Sequence, residues 1–158
     1  MAGCSEKELV LGRMMRLCSL SEHCVQDIRR KVSAKCPQWA DEITEILCRE
    51  KYIDEARYAR AFARDKSSLQ GWGSAKIRLA LSRKGIDGRT IAEALEQIDA
   101  ESAGKKMEAV LSAKWRDLAR ESDMVKKKAK LFRFALGRGY DFEQINRFYD
   151  NLGRDKND

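Results

Sequence analysis

The same sequence of turn and helix signals occurs twice in this chain of 158 residues, at a constant separation of 54 positions. Gly85-Ile86-Asp87 is followed by Ile91, and Gly139-Tyr140-Asp141 is followed by Ile145. A glycine after a helix takes the left-handed conformation that ends it, and an aspartate two residues later can cap the next helix. The spacing therefore predicts a helix, a glycine turn and a capped helix, used twice.

A fainter third copy precedes these two. Ile28, Val32 and Cys36 have the four-residue spacing of a helix face, Pro37 stands near the turn, and further apolar residues follow at helical intervals. Each copy is preceded by another predicted helix, at roughly residues 7–18, 54–67 and 101–119. The sequence thus predicts an all-α chain of three tandem three-helix repeats in an elongated, curved modular arrangement, with a divergent repeat 1 at 1–50, repeat 2 at 51–100 and repeat 3 at 101–158.

The helix ends of repeat 2 are the clearest. Asp54 is placed as the N-cap of a helix that buries Tyr58 and Phe62, and Ile53 is positioned to pack on Tyr58 as a hydrophobic staple. In the next helix Ile77 and Leu81 lie on one face, before the glycine turn. These signals predict long helices joined by tight turns, with no strand-like alternation.

Composition excludes several classes of protein. Hydrophobic residues make up 43% and the mean hydropathy is −0.60, with no apolar run long enough to span a membrane. The N-terminal residues include Glu6, Lys7 and Glu8 and lack the pattern of a secretory signal. We expect a cytoplasmic monomer with no membrane contact.

Cysteine and histidine offer little for catalysis or metal binding. There is one histidine, His23, and no Cys-x-x-Cys pair or catalytic signature motif. We therefore predict a protein that is not an enzyme, with no metal and no cofactor. The five cysteines are predicted to be reduced thiols that serve as small core residues; they are Cys4, Cys18, Cys24, Cys36 and Cys48.

The charge is unevenly distributed. The chain has 32 Lys and Arg against 25 Asp and Glu, a net charge of +7, yet residues 1–50 hold 8 of each sign. The excess lies in the later two thirds of the chain, which favours a polyanionic partner. Arg57, Arg60 and Arg64 are spaced to share one helix face. The predicted basic surface for a partner or DNA comprises Arg57, Arg60, Arg64, Lys76, Arg78, Arg83, Lys84, Lys126, Lys127, Lys128, Arg133 and Arg138.

Such a surface would fit an acidic protein groove or a nucleic-acid backbone, because arginine pairs with carboxylate and phosphate alike. A third interpretation is a solvated helical face, with Asp65, Glu121 and Asp123 as local neutralisers. Base-specific reading of the DNA major groove is disfavoured, since the last helix of repeat 2 carries Glu93 and Glu96.

The tryptophans have two interpretations. Trp72 lies between two glycines, where it either stacks on a base or folds back over its own repeat, and the sequence favours packing. Trp39 and Trp115 have helical apolar spacing, which favours packing for both.

Two runs of the sequence resemble a known family. The first run reads Tyr52-Ile53-Asp54-Glu55-Ala56-Arg57-Tyr58-Ala59, and Lys76-Ile77-Arg78 and Lys84-Gly85-Ile86 follow it. This run resembles the RecX family, the regulators of the bacterial RecA recombinase. The second run reads Lys130-Leu131-Phe132-Arg133-Phe134-Ala135-Leu136-Gly137-Arg138-Gly139-Tyr140. It is similar to the C-terminal repeat of that family. Repeat 1 departs from the family pattern: Cys24-Val25-Gln26-Asp27-Ile28 replaces Ser-x-x-Glu-Leu, and Cys36-Pro37 replaces the glycine turn.

The resemblance implies a function for the basic surface. It implies an all-helical molecule that lodges in the groove of the RecA filament on single-stranded DNA, limiting recombination and the SOS response to DNA damage. Inhibition of ATP hydrolysis and strand exchange would follow without chemistry of the protein's own. A nucleic-acid-binding helical module without recombinase regulation, and an adaptor that does not contact DNA, are the alternatives.

Overall fold

A computed structural model describes residues 5–155. Within that range the chain forms nine α-helices, one short 3-10 helix and no strand. The helices are α1 (Glu6–Leu20), α2 (Val25–Lys35), α3 (Ala40–Arg49), α4 (Glu55–Ser68), α5 (Ser74–Arg83), α6 (Gly88–Glu96), α7 (Ala100–Asp117), α8 (Met124–Gly137) and α9 (Phe142–Asp155). The predicted all-α chain of three-helix repeats is confirmed, with α1–α3, α4–α6 and α7–α9 as successive sets.

The fold divides into two compact units that share the middle set of helices. Of the described residues, one unit comprises those up to Ala61 together with Leu81–Ala94. The other comprises Phe62–Ala80 and the described residues from Leu95 onward.

Both predicted glycine turns are Schellman motifs. Gly85 has φ +79° and Gly139 has φ +96°, in the left-handed region that favours glycine. Ile86 N–H donates to the Leu81 carbonyl at 3.2 Å, and Tyr140 N–H donates to the Ala135 carbonyl at 3.2 Å. These bonds satisfy carbonyl groups that the end of a helix leaves without partners.

The first repeat makes its turn differently. After α2, Cys36 N–H donates to the Val32 carbonyl at 2.7 Å, and Pro37–Trp39 forms a single 3-10 turn that leads into α3. Proline supports this turn because its fixed φ suits the first position of a helix. At the end of α3 the left-handed position is taken by Lys51, with φ 60°.

Aspartate side chains cap the helices, as predicted for three of them. Asp54 accepts from Arg57 N–H at 3.0 Å, Asp87 from Thr90 N–H at 2.8 Å, and Asp141 from Gln144 N–H at 2.7 Å. Two further caps were not predicted, Asp99 on α7 and Asp123 on α8. Each cap satisfies a backbone donor in the first turn of its helix.

Each unit has its own apolar core. In the first unit Ile28, Val32, Ile43 and Leu47 from α2 and α3 are almost entirely buried. In the second unit the core comprises Leu111, Leu131, Phe132, Ala135, Tyr140, Ile145 and Phe148. Burying a side chain of this size contributes about 1.5–3 kcal/mol to folding.

The prediction for the cysteines is confirmed at Cys18, Cys24 and Cys36, which are buried and unbridged. It is wrong at Cys48, which is exposed. Cys48 lies in the last turn of α3, beyond the stripe that Ile43 and Leu47 bury, so the core does not cover it. Cys4 lies outside the described residues.

The described residues contain neither a membrane-spanning helix nor a metal-binding cluster. None of the helices in residues 5–155 is long and apolar enough to cross a membrane. Across the same residues, no group of three or more His, Cys, Asp or Glu is arranged to hold a metal ion.

Candidate interaction surface

The twelve basic residues singled out by the sequence differ in exposure and are distributed over both units. Seven are exposed: Arg60, Arg64, Arg78, Arg83, Lys126, Lys128 and Arg133. Five are half-buried: Arg57, Lys76, Lys84, Lys127 and Arg138.

The three arginines of α4 have different surroundings. Arg57 Nε contacts Glu22 Oε1 at 2.6 Å, and its terminal nitrogen donates to the Lys51 carbonyl at 3.2 Å. Arg64 contacts the neighbouring Asp65 at 3.4 Å in an exposed pair, which is worth little because water screens it. Arg60 lies one helical turn from Arg64 and is exposed. Arg57 is thus held inside its own unit, whereas Arg60 and Arg64 face solvent.

Lys84 is also engaged within the first unit. Its ammonium nitrogen lies 2.9 Å and 3.1 Å from the two carboxylate oxygens of Asp27 on α2. Burial by itself raises the pKa of Asp27, but the hydrogen bonds from Lys84 and Cys24 outweigh it, so the pKa lies below its ordinary value. The ion pair therefore links the turn after α5 to the first repeat.

Arg138 stands 54 positions after Lys84 and makes the corresponding link in the second unit. Its guanidinium donates to the Gln70 carbonyl, in the loop between α4 and α5, and lies 5.8 Å from the centre of the Phe134 ring. The Tyr140 hydroxyl donates to the Gly71 carbonyl in the same loop. Two of the predicted partner-facing residues therefore join successive repeats to each other.

Backbone contacts complete this junction. Gly73 N–H donates to the Arg138 carbonyl at 2.8 Å, and Ala75 N–H donates to the Gly139 carbonyl at 3.1 Å. A Cβ added at Gly73 would overlap the carbonyl group of Gly139. The loop before α5 and the turn after α8 are therefore in direct backbone contact.

Trp72 is half-buried and packs edge to face on Phe62, with ring centres 6.2 Å apart. The ammonium groups of Lys66 and Lys76 lie over its ring at 4.7 Å and 4.3 Å. Cations over the ring face provide cation–π stabilisation. These contacts agree with the packing interpretation; base stacking by Trp72 stays a prediction.

Five of the predicted residues are left without a side-chain partner. Within residues 5–155, no hydrogen bond or ion pair engages the side chains of Arg60, Arg78, Arg83, Lys126 and Arg133. Arginine and lysine that are exposed and unpaired are available to an anionic partner without first losing an internal contact.

Lys127 and Lys128 lie against the aromatic rings of the third repeat. The Lys127 ammonium is 4.0 Å from the centre of the Trp115 ring, and the Lys128 ammonium is 4.7 Å from the centre of the Tyr149 ring. Nearby Lys130 contacts Glu121 at 2.7 Å, and that pairing lowers the pKa of Glu121. Of the three predicted neutralisers, Asp65 and Glu121 therefore form ion pairs and Asp123 caps a helix.

Sequence reasoning missed the acidic partners in the first unit. Glu22 and Asp27 contact basic residues 35 and 57 positions away along the chain. No helical spacing connects residues so far apart, so the local pattern carried no signal for either pair.

Comparison with known proteins places these features in a family. Family models match the second three-helix domain of RecX at residues 54–95 and the third at residues 106–149. The chain is 30% identical to the regulatory protein RecX of Cronobacter sakazakii over 90% of its length and 92% of the relative's. It is 27% identical to that of Salmonella typhimurium, over 90% of its own length and 91% of the relative's.

Solved structures agree on the fold. A crystal structure of regulatory protein RecX matches with a TM-score of 0.81 at 20% identity, covering 91% of this chain and 71% of that one. RecX from Lactobacillus salivarius matches with a TM-score of 0.77 at 18% identity, covering 93% and 96%. Since the two domain models together span more than half of its residues, and the Cronobacter relative matches over nearly its whole length, the chain belongs to the RecX family.

Proposed function

We propose that this protein regulates the RecA recombinase by binding the RecA filament on single-stranded DNA. Bound there, it inhibits ATP hydrolysis and strand exchange and so lowers the SOS response. Membership of a family whose relatives are named regulatory protein RecX is the observation that carries this proposal. The proposal places the protein in the cytoplasm, as a monomer.

The exposed basic residues support a polyanionic or acidic partner. Arg60, Arg78, Arg83, Lys126 and Arg133 lack internal partners among the described residues, so contact with carboxylates or phosphates costs no ion pair of the protein's own. Arg60 and Arg64 lie one turn apart on α4. Their spacing suits two anionic groups on one partner surface.

Inhibition of this kind needs no chemistry from the regulator. A protein that binds one state of the filament more tightly than another shifts the filament toward that state, by as much as its affinities differ. The regulator therefore acts through contacts with the recombinase, while RecA supplies the ATP hydrolysis that is measured.

The test is ATP hydrolysis by the cognate RecA on single-stranded DNA, titrated with this protein. A parallel series contains excess competitor DNA. We expect inhibition at a protein-to-RecA ratio below one that survives the competitor. No inhibition, or inhibition that the competitor removes, would contradict the proposal and favour a plain nucleic-acid-binding module.

Matched variants refine the test. Arg60→Glu with Arg64→Glu reverses two exposed charges on α4, and we expect it to abolish inhibition. Arg13→Glu with Arg16→Glu is the control, because it makes the same charge change on the exposed side of α1. If the Arg60/Arg64 variant inhibits RecA as strongly as the control variant, α4 does not take part in the interface. Circular dichroism checks that both variants keep their helices.

A further inference from the structure

The second unit contains a cavity of about 520 Å³. Its walls come from the end of α4 with the loop after it, the start of α5, the junction of α6 and α7, one side of α7, and α9 with the residue Tyr140 ahead of it. Every lining residue belongs to this one unit. The size falls within the range of about 300–1,000 Å³ that is usual for ligand-binding cavities.

The buried part of the lining is mostly apolar. Ile77 is completely buried, and Tyr140 and Phe148 are almost so. Half-buried Leu95 and Met107 extend this apolar wall toward solvent. Such a wall favours an apolar group inside the cavity, because that group then leaves water.

Ser67 is the exception among the buried lining residues. Its exposed fraction is 6%, and its hydroxyl has no hydrogen-bond partner among the described residues. The next serine along α4 differs, since the Ser68 hydroxyl donates to the Arg64 carbonyl at 2.8 Å. Buried hydroxyl groups are normally hydrogen-bonded. Ser67 therefore offers a hydrogen bond to a group bound in the cavity.

One side of α9 lines the cavity with hydrogen-bond donors. Gln144, Arg147 and Asn151 follow each other at helical spacing, on one face. The Gln144 amide oxygen accepts from Asp141 N–H at 3.0 Å, which leaves its NH₂ group. Asn151 has no partner among the described residues, and Arg147 has only a solvent-exposed pair with Glu143, at 3.4 Å. Such pairs are easily exchanged for another acceptor.

The facing side of α7 provides space and an acceptor. Ala103 and Gly104 line the cavity there, and a Cβ added at Gly104 would meet nothing within 4 Å. Glycine inside a helix is less stable than alanine, so neither helix formation nor close packing accounts for Gly104. Glu108, one turn further along, is exposed and forms no ion pair in the described part of the chain.

We propose that this cavity binds an extended peptide segment of the recombinase, with one large apolar side chain inserted between α7 and α9. A peptide backbone offers carbonyl acceptors for the donors of α9 and N–H donors for Glu108, and the apolar wall receives the side chain. A small apolar molecule would leave these polar groups unused.

This inference rests on the proposed function and names a second place where the partner docks. None of the twelve basic residues predicted to face a partner lines the cavity. The cavity therefore supplies an apolar anchor, whereas the exposed arginines and lysines supply charge.

The test measures binding of the labelled full chain to cognate RecA filaments on single-stranded DNA by fluorescence anisotropy. Gly104→Leu places a side chain in the cavity, and we expect the Kd to rise about 30-fold or more, as for the loss of a central anchor. Gly12→Leu in α1 is the matched control, because an added Cβ there also meets nothing within 4 Å. It should leave the Kd unchanged. Urea unfolding should show that Gly104→Leu is at least as stable as the wild type.

The buried hydroxyl has a matched pair of variants. Ser67→Ala removes the hydroxyl that lines the cavity, and we expect the Kd to rise about 2- to 10-fold. Ser68→Ala removes the neighbouring hydroxyl, which is bonded to its own helix, and should not change the Kd. Overlapping synthetic peptides of the cognate RecA should include one that competes for the wild type.

Tight binding by the wild type and equally tight binding by Gly104→Leu would overturn this inference and leave the proposed function standing. Absence of filament binding by the wild type would overturn both. If Gly104→Leu instead weakens binding to a naked oligothymidylate as much as to the filament, the cavity holds a nucleotide and the peptide assignment is wrong.

Discussion

Gly73 and Gly139 meet backbone to backbone, at the junction where the second repeat docks on the third. Ala75 N–H donates to the Gly139 carbonyl at 3.1 Å, and a Cβ on Gly73 would overlap that same carbonyl group. The backbone cannot move aside as a flexible side chain can. This contact therefore requires a residue without a side chain at position 73.

Gly73→Ala should lower the free energy of unfolding by about 1–3 kcal/mol, as is typical of overpacking. The matched control is Gly104→Ala in α7, where an added Cβ meets nothing within 4 Å. That variant should gain about 0.5–1 kcal/mol from better helix propensity. Urea unfolding followed by circular dichroism measures both, and equal stabilities would contradict the close approach at Gly73.

The ion pair between Asp27 and Lys84 should make stability depend on pH. Because the folded-state pKa of Asp27 is lowered, its contribution is fully present above the unfolded-state pKa of about 4 and is lost as the pH falls through the folded-state value. Asp27→Asn should cost about 1 kcal/mol at neutral pH, with the difference from wild type shrinking below about pH 4.

Urea unfolding between neutral and acidic pH measures this difference. Asp41→Asn is the control, since Asp41 pairs with Arg29 while its own side chain is 93% exposed. A difference for Asp27→Asn that persists unchanged into acid would show that the pair does not carry the effect.

Alanine substitutions at Arg57 and Arg60 should distinguish an arginine that stabilises the fold from one that faces a partner. Arg57→Ala removes the contact with Glu22, whose second carboxylate oxygen is buried and has no partner among the described residues. We expect a loss of about 1–3 kcal/mol of unfolding free energy, because a partly buried charge is left unpaired. Arg60→Ala should change stability by less than about 0.5 kcal/mol. Thermal unfolding compares them, and equal effects would contradict the assignment.

The Tyr58 hydroxyl should lose its proton at a higher pH than an ordinary tyrosine. Burial, with further contributions from Cys24 and Asp27, raises the pKa of Tyr58 to about 12. Its contribution to stability is present below the unfolded-state pKa of about 10 and is lost as the pH rises toward the folded-state value. An ultraviolet titration of tyrosinate should therefore lose one high-pH step in Tyr58→Phe. If Tyr58→Phe instead loses a titration step near pH 10, the burial of Tyr58 would be contradicted.

The sequence by itself determined the helices, their caps and the glycine turns. Gly85, Gly139, Asp54, Asp87 and Asp141 act through hydrogen bonds that span three to five residues, so their patterns are legible in the chain. Such local signals also revealed the repeat at 54 positions and, with it, the fold class.

Only the tertiary structure decided which basic residues face outward. Lys84 and Arg138 resemble their exposed neighbours in sequence, yet each joins its repeat to the one before it, through partners 57 and 68 positions away. The same is true of Arg57 with Glu22. Whether a cation faces solvent depends on which distant carboxylate or carbonyl the fold brings beside it, and helical spacing contains no information about contacts at that distance.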